Sequence, residues 1–455
     1  MADLRGIGPP WAIVILFPNT IAKSLVNSVP NPSPVRTRIV IIGAGFAGVA
    51  VARGLVRACA DVMLIDRDNF HLFQPLLYQV ATAALSPSDI AEPIRRMLRG
   101  QENCEVVLGE VTAIDTQKRQ IGMGAETVTY DILVLAAGAT RSYLGHDEWE
   151  QFAPSLKTLE DALAIRTRLL LCFERAETSR NPQEQARLMT VVVIGGGPSG
   201  VELAGSIAEL VRHTLAKDFR RISPAATRII LLEAGSRILA EFPEALSRYA
   251  AQRLAGLGVE VRENCAVKAI TAAAVQADGA EIPAGLMVWA AGVKASPLAQ
   301  MLGVKTDKHG RIAAGSDLAV AGLSGVYALG DLACVEDTMG KPLPGLAQVA
   351  KQQGTYLGRS LAAKIETGAT PMPFAFHDRG NVAIVGRHSA VVDFGTIQLR
   401  GFAAWLLWAV VHIWLLAGLQ HRVLVAIQWA WRYVTYDRGA RQIMPMPGAD
   451  GSARP

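Results

Sequence analysis

Arg38-Ile-Val-Ile-Ile-Gly43-Ala-Gly45-Phe-Ala-Gly48 decides the fold of this chain. An apolar run reads as a buried strand, three glycines make a turn, and a helix-like stretch follows. The first glycine permits the tight strand-to-helix turn. The second lets the backbone approach a pyrophosphate, and the third lets the helix pack on the strand. The ligand phosphates then lie at a helix N-terminus, where free N–H groups and the macrodipole favour negative charge. Phe46 and Ala47 fall inside this turn. The next strand, Val62-Met-Leu-Ile-Asp66, ends in a carboxylate 18 residues past Gly48, near the ~20 at which an acidic residue meets the ribose hydroxyls.

The pattern occurs twice. Val191-Val-Val-Ile-Gly195-Gly-Gly197-Pro198-Ser199-Gly200 is followed by Arg228-Ile-Ile-Leu-Leu-Glu233. Here the carboxylate comes 33 residues after the last glycine. The excess is placed in a polar insertion, Arg212 to Ala226. Each unit has a second strand that ends in small residues: Ile132-Leu-Val-Leu-Ala-Ala137-Gly138 and Leu286-Met-Val-Trp-Ala-Ala291-Gly292. Small residues there let a nucleotide lie against the backbone. Gly325-Val-Tyr-Ala-Leu-Gly-Asp331 returns the chain to the first unit, with an acidic side chain at a strand end. The expected class is α/β: two Rossmann-like dinucleotide-binding domains, one inserted in the other. The first is split over 37–160 and 311–397, and the second occupies 161–310. A loop over Asn69–Gln79, a helix over Ala91–Arg99 and strands at Glu105–Leu108 and Ile132–Ala136 complete the first.

Bulk composition excludes several classes. The 455 residues allow two or three domains. A net charge of +5, without a Lys/Arg run, gives no nucleic-acid signature. Five cysteines, at 59, 104, 172, 265 and 334, are scattered with no CxxC or CxxxxC. That argues against a metal site and a local redox dithiol, and favours a reducing compartment. Residues 1–36 read as a flexible extension. Their apolar run, Trp11–Phe17, is too short to span a membrane.

The C-terminus differs from the rest. Phe402 to Leu419 is apolar apart from His412. As one helix it would extend ~27 Å, near the ~30 Å hydrocarbon thickness. A single span is therefore one reading. A pair of interfacial helices over 398–445 is preferred, because Gln420-His-Arg422 breaks the run and Val423–Tyr436 mixes polar with apolar residues. Trp405, Trp408, Trp414, Trp429 and Trp431 suit a headgroup boundary. Residues 398–455 carry six Arg against two Asp, which attracts anionic lipid. Residues 446–455 read as a tail.

Phe70-His-Leu-Phe-Gln-Pro-Leu-Leu-Tyr-Gln79, Gly195–Glu202, Ala290-Ala-Gly-Val-Lys-Ala-Ser296, Ala347-Gln-Val-Ala-Lys-Gln-Gln-Gly354 and the aromatic tail resemble the type II NADH:quinone oxidoreductases. These are two-dinucleotide-binding-domain flavoproteins, and the likeness covers about residues 37–445. It implies non-covalent FAD, NADH as substrate, a membrane quinone as acceptor and no proton pumping. It implies FAD on Gly43, Gly45, Phe46, Ala47, Gly48, Asp66, Ala137, Gly138 and Asp331. NADH falls on Gly195, Gly197, Pro198, Ser199, Gly200, Glu233, Ala291 and Gly292. Glu202 is implied beside the nicotinamide, and Gln348 and Gln352 near flavin and quinone, all three as catalytic groups. Peripheral, monotopic attachment to the cytoplasmic face of the cell membrane is implied. A homodimer is left open.

Several residues carry a plainer reading beside the functional one. Glu233 would repel a 2′-phosphate, which favours NADH over NADPH, while Arg237, four residues on, tempers that preference. Glu202 lies in the first turn of a helix, where any carboxylate is favoured by the macrodipole. Gln348 and Gln352 share one helix face, which an exposed polar face would also explain. His71 and Gln74 follow Asp66, and packing or hydrogen bonding accounts for His71. With no paired thiols, electrons leave a flavin directly. The alternatives are a soluble NAD(P)H-dependent flavin reductase of a protein such as ferredoxin, or a flavin-bound redox sensor.

Overall fold

The computed structural model describes residues 36–435 and 438–443. Residues 1–35 of the extension expected over 1–36, and the tail 446–455, lie outside these residues.

Strand β1 (Thr37–Ile42), helix α1 (Phe46–Gly54) and β2 (Ala60–Asp66) form the first β-α-β unit, followed by α2 (Leu77–Ala81), β3 (Cys104–Leu108) and β4 (Ile132–Leu135). Helix α3 (Leu159–Thr178) leads to β5 (Thr190–Ile194), α4 (Pro198–Glu209), β6 (Arg228–Leu232), β7 (Val259–Arg262) and β8 (Leu286–Trp289). The chain then returns through β9 (Val326–Ala328) and α5 (Ala347–Thr367). The first sheet has the order β9-β4-β1-β2-β3 and the second β7-β6-β5-β8, all parallel. One Rossmann-type fold is thus built from chain on both sides of the other. Nearly every residue of β1, β5 and β8 is buried, as parallel strands covered on both faces require.

Helix packing explains the small residues. A Cβ on Gly354 of α5 would come 2.3 Å from the Ala47 carbonyl oxygen, and one on Gly358 would come 2.6 Å from that of Val51. Helix α5 therefore lies backbone to backbone on α1, the helix that follows the first glycine turn.

A third layer covers α4. It is an antiparallel sheet of β10 (Asn381–Gly386), β11 (Ser389–Asp393) and β12 (Gln398–Gly401), with α6 (Phe402–Leu415) and α7 (Leu419–Thr435). A Cβ on Gly205 would sit 2.0 Å from the Val385 carbonyl oxygen, so β10 rests directly on α4. Beyond α7, the buried Arg438 donates from Nη1 to the Thr82 and Ser206 carbonyls at 3.0 and 3.2 Å. Its Nη2 meets Glu209 at 3.2 Å. That one guanidinium ties the C-terminal segment to α4 and to the end of α2.

Local expectations needed correction. Residues 70–79 are not a plain loop: Phe70–Leu72 pairs antiparallel with Ala91–Pro93, and a 3-10 turn and α2 follow. The helix expected over 91–99 shrinks to Ile94–Leu98 for the same reason, because its first residues serve as a strand partner. The C-terminal break falls at 416–418 and not at 420–422. Gly418 adopts φ +80° there, and Gln420, His421 and Arg422 begin α7. Strand β12 begins at the boundary drawn at 397/398 and pairs with β11, so the antiparallel sheet has strands on both sides of it. Residues 210–226 form a π turn and two 3-10 turns, in the place assigned to a polar insertion.

Candidate active site

Both glycine turns have the same internal geometry. Gly43 (φ +102°) lies so close to β4 that a Cβ would meet the Ala136 carbonyl oxygen at 2.5 Å. A Cβ on Gly48 would come 1.8 Å from the Gly43 oxygen, so α1 sits on the turn itself. In the second unit Gly195 (φ +112°) and Gly200 repeat this, at 2.6 Å from Ala290 C and 1.9 Å from the Gly195 oxygen. Around Gly45 and Gly197 a Cβ would meet nothing within 4 Å, so the middle of each turn opens to a ligand. Pro198 starts α4 at a position where no N–H bond is lost.

The strand-end carboxylates brace these turns. Asp66 accepts from Ala44 N at 2.5 Å and Asp68 N at 2.9 Å. Glu233 accepts from Gly196 N and Gly235 N, each at 2.6 Å. Each oxygen keeps a lone pair free to accept a further hydrogen bond. His71 Nδ1 donates to the Ala44 carbonyl at 2.8 Å. Burial lowers its pKa, so the ring is neutral.

In front of the first turn lies a cavity of about 450 Å³. Gly43, Gly45, Phe46, Ala47, Asp66, Ala137, Gly138 and Asp331 all line it; Gly48 lies beneath, under α1. The first N–H groups of α1 and of α5 face this space through Phe46, Ala47 and Ala347. A glycine turn open at Gly45, free helix N–H groups and a carboxylate at each end fit a dinucleotide such as FAD. Among the described residues no cysteine lines the cavity.

The second unit reaches this cavity. Past β8, residues Val293–Ala295 pair antiparallel with Ala139–Arg141. Ser296 N donates to the Gly138 carbonyl at 3.1 Å, and Ser296 and Pro297 form part of the cavity wall. Gly292 fits because a Cβ there would lie 3.0 Å from the Ser142 oxygen. Ala291 and Gly292 thus join the two units at their nucleotide ends.

Glu202, one turn into α4, faces β10, and its Oε1 accepts from Ile384 N at 3.4 Å. The residue keeps some accessible surface, yet protein surrounds its carboxyl group. Burial pushes the pKa up to about 8. Tyr78 of α2 is fully enclosed nearby, and burial, followed by the field of Glu202, raises its pKa. The Tyr78 hydroxyl accepts from Gln79 Nε2 at 3.0 Å, and Gln79 Oε1 accepts from the Trp429 indole at 3.0 Å. A continuous set of polar groups therefore joins α2 to the C-terminal helix α7.

Gln348 and Gln352 lie at the start of α5, next to the cavity but turned to the segment 377–380. Gln348 Nε2 donates to the Gly380 carbonyl at 3.1 Å, and its Oε1 accepts from Arg379 N at 3.1 Å. Gln352 binds both the N–H and the carbonyl of His377, at 3.0 and 2.9 Å. Neither amide touches the other predicted groups. Their neighbour Gln353, not singled out in the sequence, is buried and accepts from Gly330 N at 2.7 Å beside Asp331. Lys157 was also missed. Its Nζ crosses the cavity to Asp331, at 3.6 Å, and to Gln74, at 3.5 Å. The Thr158–Asp161 capping box at the start of α3 was the signal that a helix begins at this point.

The profile of the pyridine nucleotide-disulphide oxidoreductase family matches residues 37–354. The chain is 41% identical over 423 residues to the type II NADH:quinone oxidoreductase Ndh of Mycobacterium tuberculosis, covering 89% of this chain and 90% of that one. It is 41% identical over 437 residues to NdhA of the same organism, covering 92% of each. In fold it is similar to the solved structure of NDH2 from Plasmodium falciparum in complex with NADH. That match has a TM-score of 0.83 and 21% identity, over 89% of this chain and 99% of that one. Paired glycine turns, one shared cavity and these relatives agree: the chain belongs to the type II NADH:quinone oxidoreductases, within the pyridine nucleotide-disulphide oxidoreductase family.

Proposed function

We propose that this protein oxidises NADH and reduces a membrane quinone by two electrons, without pumping protons, using non-covalently bound FAD. The observation that carries this reading is the seam at Gly138–Ser296, where the strand-end loop of the second nucleotide fold forms a wall of the first fold's cavity. FAD supplies the hydride acceptance and the two-electron delivery. The chain's own residues do the rest. The turn at Gly43–Gly48, Asp66, Gly138 and Asp331 hold the flavin nucleotide, and Lys157 orients Asp331. The turn at Gly195–Gly200, Glu233, Ala291 and Gly292 hold NADH beside it. Glu202, protonated at neutral pH, holds a proton for the reduced quinone. Gln348 and Gln352 fix residues 377–380 as a wall of the acceptor side.

In this reading residues 37–160 and 311–397 form the FAD domain, 161–310 the NADH domain and 398–445 the membrane-associating part. Among the described residues no helix is long and apolar enough to cross a membrane. Helix α6 has 14 residues, about 21 Å, shorter than the hydrocarbon layer. Its outer face shows Phe402, Leu406, Val410 and Trp414, four residues apart and each about half exposed or more, while Ala404, Trp408 and His412 are buried. Helix α7 repeats this with Leu419, Val423, Ile427 and Trp431 outside and Val425 inside. Apolar stripes of this kind, with indoles at their edges, fit a helix pair lying in the interface of the cytoplasmic leaflet. A lipid-soluble quinone then enters without crossing water.

The test is optical. Anaerobic NADH should bleach the bound flavin, and a short-chain quinone should restore its absorbance. Failure to bleach ends the proposal. Bleaching without reoxidation by quinone removes the acceptor assignment.

A further inference from the structure

Among the described residues three leucines adopt the left-handed backbone conformation that bulky side chains rarely take: Leu144 (φ +56°), Leu239 (φ +48°) and Leu318 (φ +65°). Leu239 and Leu318 are buried, so core packing offsets the strain. Leu144 is 67% exposed. A strained, apolar and water-facing side chain is an arrangement found at ligand clamps, and its neighbours show which ligand it would meet.

The residues before Leu144 fix it over the second nucleotide fold. Ser142 N donates to the Gly292 carbonyl at 3.2 Å, and the Ser142 carbonyl accepts from the Trp289 indole at 2.8 Å. Leu144 N donates to Ser142 Oγ at 3.3 Å. Tyr143 is buried with its ring centre 5.5 Å from that of Trp289, and its hydroxyl donates to the Ala153 carbonyl at 2.9 Å. Leu144 Cδ2 would lie 3.6 Å from a Cβ on Gly292. The leucine therefore overhangs Gly292, just beyond the end of β8. A dinucleotide lies across the C-terminal ends of parallel strands. In the order β7-β6-β5-β8, Glu233 at the end of β6 takes the adenosine ribose, and the turn after β5 takes the pyrophosphate. The remaining half, which carries the nicotinamide, then extends past the end of β8 toward Gly292 and Leu144.

We propose that Leu144 is a substrate-positioning residue that packs against the dihydronicotinamide ring of NADH. The inference rests on the reading of the second glycine turn as the NADH site, and it names the side chain that meets the reacting end of the substrate. The ring is uncharged and has an apolar face, so covering it with Leu144 takes apolar surface of both from water. The side chain stands exposed because its partner is the substrate.

Flavin-loaded Leu144→Gly tests it, because glycine suits the backbone at this position and the variant should withstand denaturant at least as well as the wild type. The NADH concentration that half-saturates anaerobic bleaching of the flavin should rise about tenfold, the effect of a leucine with roughly half its surface covered on binding. ADP-ribose lacks the nicotinamide, and its dissociation constant, measured by calorimetry on the same protein, should not change. Leu144→Asn keeps the size and tolerates the same backbone, and should show the same selective loss. Leu144→Met keeps an apolar chain and should recover most of the NADH binding. An unchanged NADH requirement in the Gly and Asn variants would overturn the ring contact. Equal weakening of NADH and ADP-ribose would overturn it too, since the loop would then shape the cleft as a whole. Leu144→Met as weak as Leu144→Gly would count against it in the same way. Wild-type flavin that NADH does not bleach would instead overturn the NADH reading on which the inference rests.

Discussion

In the proposed mechanism single carboxylates carry much of the chemistry, and Glu233 and Glu202 each accept hydrogen bonds from the backbone around them. Glu233 binds two N–H groups of its own turn region, at Gly196 and Gly235. Glu233→Ala should therefore act in two ways. Loss of the charge should raise kcat/KM for NADPH relative to NADH by about tenfold or more, and loss of the two bonds should raise KM for both. Steady-state kinetics with each nucleotide check this, and an unchanged ratio removes the ribose role. Glu202 differs, because its pKa lies near 8 in the folded chain against 4.5 for an ordinary carboxyl. The folded state therefore holds this proton more tightly than the unfolded chain does. Its contribution to stability is present below about pH 4.5 and is lost as pH rises toward 8. Glu202→Gln should match the wild type at pH 5 and exceed it at pH 8, by on the order of 1–3 kcal/mol in denaturant titrations. If Glu202 also supplies a proton to the quinone, wild-type quinone reduction should fall through pH 8, and the variant should be slow and flat.

At the scale of elements, the close contact of α5 on α1 couples the acceptor side to the flavin turn. Gly354→Ala would place a Cβ 2.3 Å from the Ala47 oxygen, a clash with backbone that cannot rotate away. The expected cost is about 3 kcal/mol, at the upper end for overpacking. Flavin release should rise with it, because Ala47 lines the cavity at the start of α1. Denaturant titration and flavin fluorescence measure the two effects. Stability lost with flavin affinity intact would show that α1 moves as a rigid body away from α5.

For the whole molecule, the C-terminal layer has one face toward the two nucleotide folds and the other free. Val410 and Ile427 are both more than half exposed. Val410→Asp/Ile427→Asp should leave the flavin spectrum and its bleaching by NADH unchanged. The pair should release the protein from lipid vesicles and slow the reduction of a long-chain quinone more than that of a short-chain one. Equal rates with both quinones would mean that the outer stripes take no part in substrate entry. His412 sits on the inner face of the same helix, where burial lowers its pKa to about 4. It therefore stays neutral across physiological pH.

Much was legible in the sequence because Rossmann chemistry is local. The glycine turns, their strands and the carboxylates Asp66 and Glu233 lie in short windows whose spacing follows from backbone sterics, and the two folds and their nesting could be read from order alone. The apolar, Trp-rich character of residues 402–436 was visible too, but the division into outer and inner faces was not. Tertiary structure alone decided the rest. The strand made by Ala91–Pro93 exists only because Phe70–Leu72 pairs with it. The tie between Gln348, Gln352 and residues 377–380 depends on where a loop crosses α5, and no periodicity encodes that. The raised pKa of Glu202 arises because β10, about 180 residues later in the chain, closes over it. Lys157 acquires meaning only when Asp331 is brought within 3.6 Å. Local sterics can be read from neighbours in sequence, whereas burial, field and long-range hydrogen bonding depend on which distant segments the fold brings together.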